Sequence, residues 1–204
     1  MVQDLGKKCV FIMIFSLIAC VSAYAAVIEG VSVPDTLAVG DAKLVLNGAG
    51  MRVKKIGPIK KDVYMASLYL KDKTSDARKI IDDNDTMVLR IKIVTSLITS
   101  KKFIDHAREG FKESTKGNTA PIQKEIDTFL SAFADEIHDG DLFEITYKKN
   151  VGVQVFKNGS RESKIIVAGM PIKSALFGIW LGERSEDNLK TLAKHLVTGD
   201  VIKQ

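Results

Sequence analysis

The chain predicts an α+β fold, an antiparallel β-sheet covered by helices. Strand-like segments come in runs, and the long helical patterns come in pairs, without the strict strand–helix alternation that builds parallel sheets. Asn158-Gly159, the strongest short hairpin signal, joins two of the strand patterns. No repeat, low-complexity tract or long linker interrupts the series, which reads as one domain.

The elements follow in order. AVIEGVSVP (26–34) and AKLVLNG (42–48) alternate or cluster β-formers and end in turn residues, so each is expected as a strand. MRVKKI (51–56) and DVYMASLYL (62–70) are two more, separated by GPIKK (57–61). SDARKIIDDN (75–84) is a short helix with Ser75 as its cap, and TMVLRIKIV (86–94) a strand. In SKKFIDHAREGFKEST (100–115) Phe103, Ile104, Ala107 and Phe111 share a helical face. In PIQKEIDTFLSAFADEI (121–137) Ile122, Ile126, Phe129, Leu130 and Phe133 do the same. DLFEITYKK (141–149), GVQVFK (152–157) and ESKIIVAG (162–169) return to strands. PIKSALFGIWLGE (171–183), stopped at Gly182, and SEDNLKTLAKHLV (185–197) close the chain as helices.

The first residues read as an export signal. Lys7 and Lys8 precede an apolar run from Cys9 to Val21, too short for a spanning helix of about 20 residues. Ser22-Ala23-Tyr24-Ala25 then offers an A-x-A cleavage site, giving a signal at 1–25 and a domain at 26–204. The expected location is therefore the periplasm or the exterior. LIAC (17–20) offers a rival cut that would leave Cys20 acylated, and only in that case is a membrane an expected partner. Cys9 and Cys20 both fall inside the signal, which removes disulfides, thiol nucleophiles and thiolate metal sites from the domain. The full chain carries 30 basic and 25 acidic residues; without Lys7, Lys8 and Asp4 the balance is 28 to 24, or +4. The charges are interspersed and no aromatic-studded basic tract occurs, so nucleic acid is not an expected partner.

NGAGMRVKKIGP (47–58) opens like a phosphate loop. A dinucleotide fingerprint needs a third glycine and a helix after the loop, but Val53 occupies that third position and Pro58 closes a strand-like segment. The glycines are expected instead in a tight turn or bulge between strands. If 51–56 and 62–70 form a hairpin centred on Pro58, Arg52 stands directly across from Tyr64 on one face. A guanidinium fork beside a phenol can hold a carboxylate or an enolate.

These segments carry a resemblance. VIEGVSVPDTL, LVLNGAGMR, DVYMASLYLKDKTSD, TSKKFIDHAREGF, GDLFEITY and ALFGIWLGE resemble, in order and over nearly the whole domain, the chalcone isomerase family, in particular its exported bacterial chalcone isomerase-like members. The resemblance implies an open-faced sandwich with a ligand cleft between sheet and helices. Plant members close a chalcone to a flavanone with an arginine in the glycine segment, a tyrosine on the first long helix and a threonine on a late helix. Arg52 matches the arginine, whereas Phe103 falls at the tyrosine and Ile179 at the threonine. Noncatalytic relatives hold a fatty acid with that arginine and a tyrosine on the next strand, which Tyr64 matches.

The expected function is therefore noncatalytic binding of a fatty acid or similar apolar carboxylate by Arg52, Tyr64, Phe103 and Ile179, without cofactor or metal. The alternative is an intramolecular lyase on a phenolic enone; a third reading is a partner-binding domain whose cleft is filled by its own side chains. His106, His138 and His195 are too scattered for a metal motif, and no G-x-S-x-G elbow is present. Asp82–Asp85 lacks calcium-loop spacing and is expected as a helix end. Leu176, Ile179 and Trp180 form an apolar helix stripe that either fills a core or walls a cleft.

Overall fold

The computed structural model describes residues 25–183 and 186–199; the expected signal, with Cys9 and Cys20, lies outside them but for Ala25. The segment 26–34, expected as one strand, is a hairpin of β1 (Ala25–Ile28) and β2 (Val31–Pro34), because Glu29 and Gly30 both take positive φ and reverse the chain. It forms its own small sheet.

The main sheet is a seven-stranded antiparallel meander in chain order. Its strands are β3 (Thr36–Val39), β4 (Ala42–Ile56), β5 (Ile59–Leu70), β6 (Met87–Ile93), β7 (Leu142–Lys148), β8 (Gly152–Lys157) and β9 (Ile166–Val167). The expected break at the glycines is absent, so 42–48 and 51–56 are parts of the single strand β4. Its register against β5 shifts twice, leaving Asn47 and Val63 as extra residues. Asn158 and Gly159 form the expected turn with positive φ, but β9 pairs with β8 over only two residues.

Five α-helices and a 3-10 turn at Ala120–Ile122 complete the described chain: α1 (Ala77–Asp82), α2 (Ser100–Ser114), α3 (Gln123–Ser131), α4 (Met170–Leu181) and α5 (Asp187–Thr198). The cap of α1 is Asp76 rather than Ser75: its carboxylate accepts from the Lys79 N–H at 3.0 Å. α3 ends well before residue 137, yet Phe133 and Ile137 beyond it stay buried.

Strand alternation sorts the core into two. Ala66, Leu68, Leu89, Ile91 and Ile145 face the helical layer, whereas Leu44, Leu46, Ala49, Met65, Tyr69 and Val88 pack on the opposite face beneath β1–β2. α4 sits centrally in the helical layer, touching α1, α2 and α5, and is buried on nearly every side. Even Lys173 on it is fully buried. Its ammonium donates to the carbonyls of Ile80 (2.7 Å), Ile81 (2.8 Å) and Asp83, satisfying the C-terminal end of α1. Burial pushes that ammonium down to about 8, against the opposing pull of Asp83 and Asp82.

Candidate functional site

Gly48, Gly50 and Arg52 alternate along β4 and so project to one face. α5 lies across them. A Cβ on Gly48 would stand 2.1 Å from the His195 carbonyl oxygen, and one on Gly50 would stand 2.9 Å from the His195 Cβ. Neither glycine has positive φ. The glycines thus clear a track for a helix; of the expected turn or bulge, the turn is absent and the bulge falls at Asn47, beside Gly48. The helix runs back along that track from Leu196 over Gly48, past Leu192 at Gly50, to Glu186 at Arg52.

Arg52 is 8% exposed and directly opposite Tyr64 in the β4–β5 ladder. Its Nη1 donates to the Val53 carbonyl at 2.8 Å and its Nη2 to the Glu186 carboxylate at 2.7 Å. The Tyr64 hydroxyl accepts from the Trp180 indole N–H at 3.0 Å, tying the strand to α4. Between them opens a cleft of about 210 Å³, walled by Val63, Ile98, Phe103, Ala107, Ile179 and Trp180, with Arg52, Lys54, His106 and Glu186 among its polar groups.

All four residues singled out in the sequence, Arg52, Tyr64, Phe103 and Ile179, line this one cleft. Phe103 also belongs to the core: its ring stacks 4.6 Å from Phe133 and 6.1 Å from Phe143. Ile179 packs against α2, where a Cβ on Gly110 would meet its Cγ2 at 2.8 Å. Its closeness leaves α2 and α4 in direct contact behind the cleft.

Three rim groups escaped the sequence reading. Lys54 donates to His106 Nε2 at 2.9 Å, which requires the neutral imidazole with its proton on Nδ1. Partial burial, then Lys54 and Arg52, hold that imidazole below its ordinary range. Both had a signal: Lys54 lies two residues beyond Arg52 on the strand, and His106 three beyond Phe103 on the helix. Glu186 had none, since 134 residues separate it from Arg52. His195 is half-buried against Gly50 and far along the helix from the cleft.

Among the described residues no group of His, Cys, Asp and Glu is arranged to hold a metal ion, and no helix is long and apolar enough to cross a membrane.

The family model described as chalcone isomerase-like matches residues 25–196. Among solved structures, the chain is similar to a fatty-acid binding protein of Arabidopsis thaliana, with 18% identity and a TM-score of 0.66 over 85% of this chain and 96% of that one. At that identity the likeness speaks for the fold. No curated protein matches the chain.

Proposed function

This chain belongs to the chalcone isomerase-like family, and from that premise we propose that it is an exported, noncatalytic binding protein for a fatty acid or a similar apolar carboxylate. The observation that carries the reading is the nearly buried Arg52 guanidinium set into the wall of a largely apolar cleft. The contact it makes with the Glu186 carboxylate is the contact a ligand headgroup would make in its place. Tyr64, directly across the ladder, supplies a hydroxyl at the same height. Phe103, Ile179 and Trp180 would enclose the first part of the tail. Each methylene buried there contributes about 0.8 kcal/mol, so five of them would supply about 4 kcal/mol. The Arabidopsis neighbour's fatty-acid binding supports the choice of ligand class. The signal-like start of the sequence supports export.

A cleft of about 210 Å³ lies below the roughly 300–1,000 Å³ usual for ligand pockets. A long tail therefore needs the walls to part or must run out past the rim. Affinity is expected to rise with each added carbon up to a medium chain length and then to level off. The lyase alternative asks for polar donors facing the substrate from the two helices, and Phe103 and Ile179 are apolar.

Native mass spectrometry of the purified protein, followed by extraction, is the direct test: acyl chains should co-purify. Titration with a fluorescent fatty acid should give binding that Arg52→Ala weakens at least tenfold, the loss of a charge-assisted contact worth about 1.5–3 kcal/mol. Binding unchanged in that variant sinks the proposal. Stereoselective turnover of a chalcone would replace it with the lyase.

A further inference from the structure

Beyond Arg52 the β4–β5 hairpin leaves the sheet. β3 pairs with β4 only as far as Val45, and β6 pairs with β5 only from Tyr64 onward. The last turns of the hairpin are a two-stranded ribbon in which Lys54 faces Lys61 and Lys55 faces Lys60. Like charges directly opposite in a ladder destabilise it, and a free two-stranded ribbon is marginal to begin with. Lys55, Lys60 and Lys61 are exposed and have no ion-pair partner among the described residues. Asp62 is the one acidic residue on the ribbon. At the tip Ile59 is 56% exposed.

The same end of the sheet carries the segment that follows β6, which departs beside Val63 through the Val94 N–H bond to the Val63 carbonyl. Leu97 on that segment is 44% exposed, and its neighbour Ile98 walls the cleft. Lys54 and Ile98 line the cleft, so the base of the ribbon and the segment that carries Leu97 both adjoin it.

We propose that this ribbon docks the protein tip first on an anionic phospholipid bilayer, with the lysine pairs on its two faces at the headgroups and Ile59 at the tip entering the interface. Paired ammoniums that repel one another in the free protein are relieved when a sheet of negative charge lies against them. Nucleic acid fits less well, because no aromatic side chain stands on the ribbon for a base to stack on. The docking rests on the ribbon's own charges; that it brings the cleft mouth to a source of acyl chains rests on the function proposed above.

Flotation of the full chain with phosphatidylcholine vesicles, with and without phosphatidylglycerol, tests the docking. Each lysine near such a surface is worth about fivefold in partitioning, so K55Q/K60Q/K61Q in the same chain is expected to lose at least tenfold on the anionic vesicles. Wild-type binding is expected to weaken as salt shortens the Debye length. Whatever the N-terminal apolar run contributes is common to both proteins. Ile59→Ser is expected to lower the fraction that stays bound at high salt. The triple variant should still take up fatty acid normally, so a failed docking result and a failed cleft are told apart. Equal flotation on the two vesicle types, or a triple variant that floats like wild type, overturns the proposal. Salt-sensitive capture on DNA but not on anionic vesicles would overturn it in favour of a nucleic-acid surface.

Discussion

Arg52 Nη2 and Glu186 Oε2 meet at 2.7 Å, joining the end of the glycine track on β4 to the residue that caps α5. Arg52 is nearly buried while the Glu186 side chain is 46% exposed, so the carboxylate is the partner that can leave. In the function proposed above, Glu186 would compete with the incoming headgroup for Arg52. Glu186→Gln, which keeps the size and removes the charge, should raise fatty-acid affinity about two- to fivefold, the scale of a partly exposed ion pair. Competition titration reads this directly. A fall in affinity would mean instead that Glu186 helps to hold the ligand.

The glycine track makes a graded prediction. A methyl on Gly48 would stand 2.1 Å from backbone oxygen of α5, whereas a methyl on Gly50 would stand 2.9 Å from the His195 Cβ and Nδ1, a milder overlap. Gly48→Ala should destabilise by about 3 kcal/mol and Gly50→Ala by about 1 kcal/mol. Urea melts of the two variants would show the order, and equal effects would argue that α5 shifts as a unit.

Lys173 separates volume from charge. Lys173→Ala removes the donor that closes α1 and leaves a hole, for an expected loss of about 2–4 kcal/mol. Lys173→Met fills the hole and relieves a desolvated ammonium, so its loss should be nearer 1 kcal/mol. Thermal unfolding of both decides it. A methionine variant as weak as the alanine one would mean that the carbonyl bonds dominate.

Asp141 sets an acid limit. Burial alone would raise its carboxyl, but the His138 N–H, the Lys157 ammonium and the Asn158 amide all bond it and bring it down to about 2. A depressed folded value stabilises the protein above the unfolded value near 4, and that contribution fades as the pH falls from about 4 toward 2. Asp141→Asn should cost about 1–2 kcal/mol at pH 7 and little at pH 2. Denaturant melts across that range are the check; a penalty that does not shrink with acid would rule out the charge as its cause.

The pairing of Arg52 with Tyr64 was legible in the sequence, though not for the reason the arithmetic supposes. The turn is centred between Gly57 and Pro58, with Ile56 opposite Ile59. That half-residue shift would have put Arg52 out of register with Tyr64. The extra residue Val63 restores it, so that residues 52 and 64 meet after all. A bulge leaves no mark in β-propensity, because Val63 is as good a strand former as its neighbours. Ser75 as the cap of α1 fails for a similar reason: Ser75 and Asp76 are both good caps, and only backbone geometry chooses.

By itself the sequence determined the α+β class, the runs of strands and pairs of helices, the apolar faces of the two long helices, and the opposition of Arg52 to Tyr64, while the family resemblance singled out Phe103 and Ile179. The faces and the Arg52–Tyr64 pairing follow from periodicity and from short-range contacts, which neighbours in the chain control. Only the tertiary structure decided why Gly48 and Gly50 are small, that Trp180 donates to Tyr64, and that Glu186 covers Arg52. Each of these is a meeting of β4 or β5 with α4 or α5 across more than a hundred residues, and such meetings are set by how helices settle on a finished sheet.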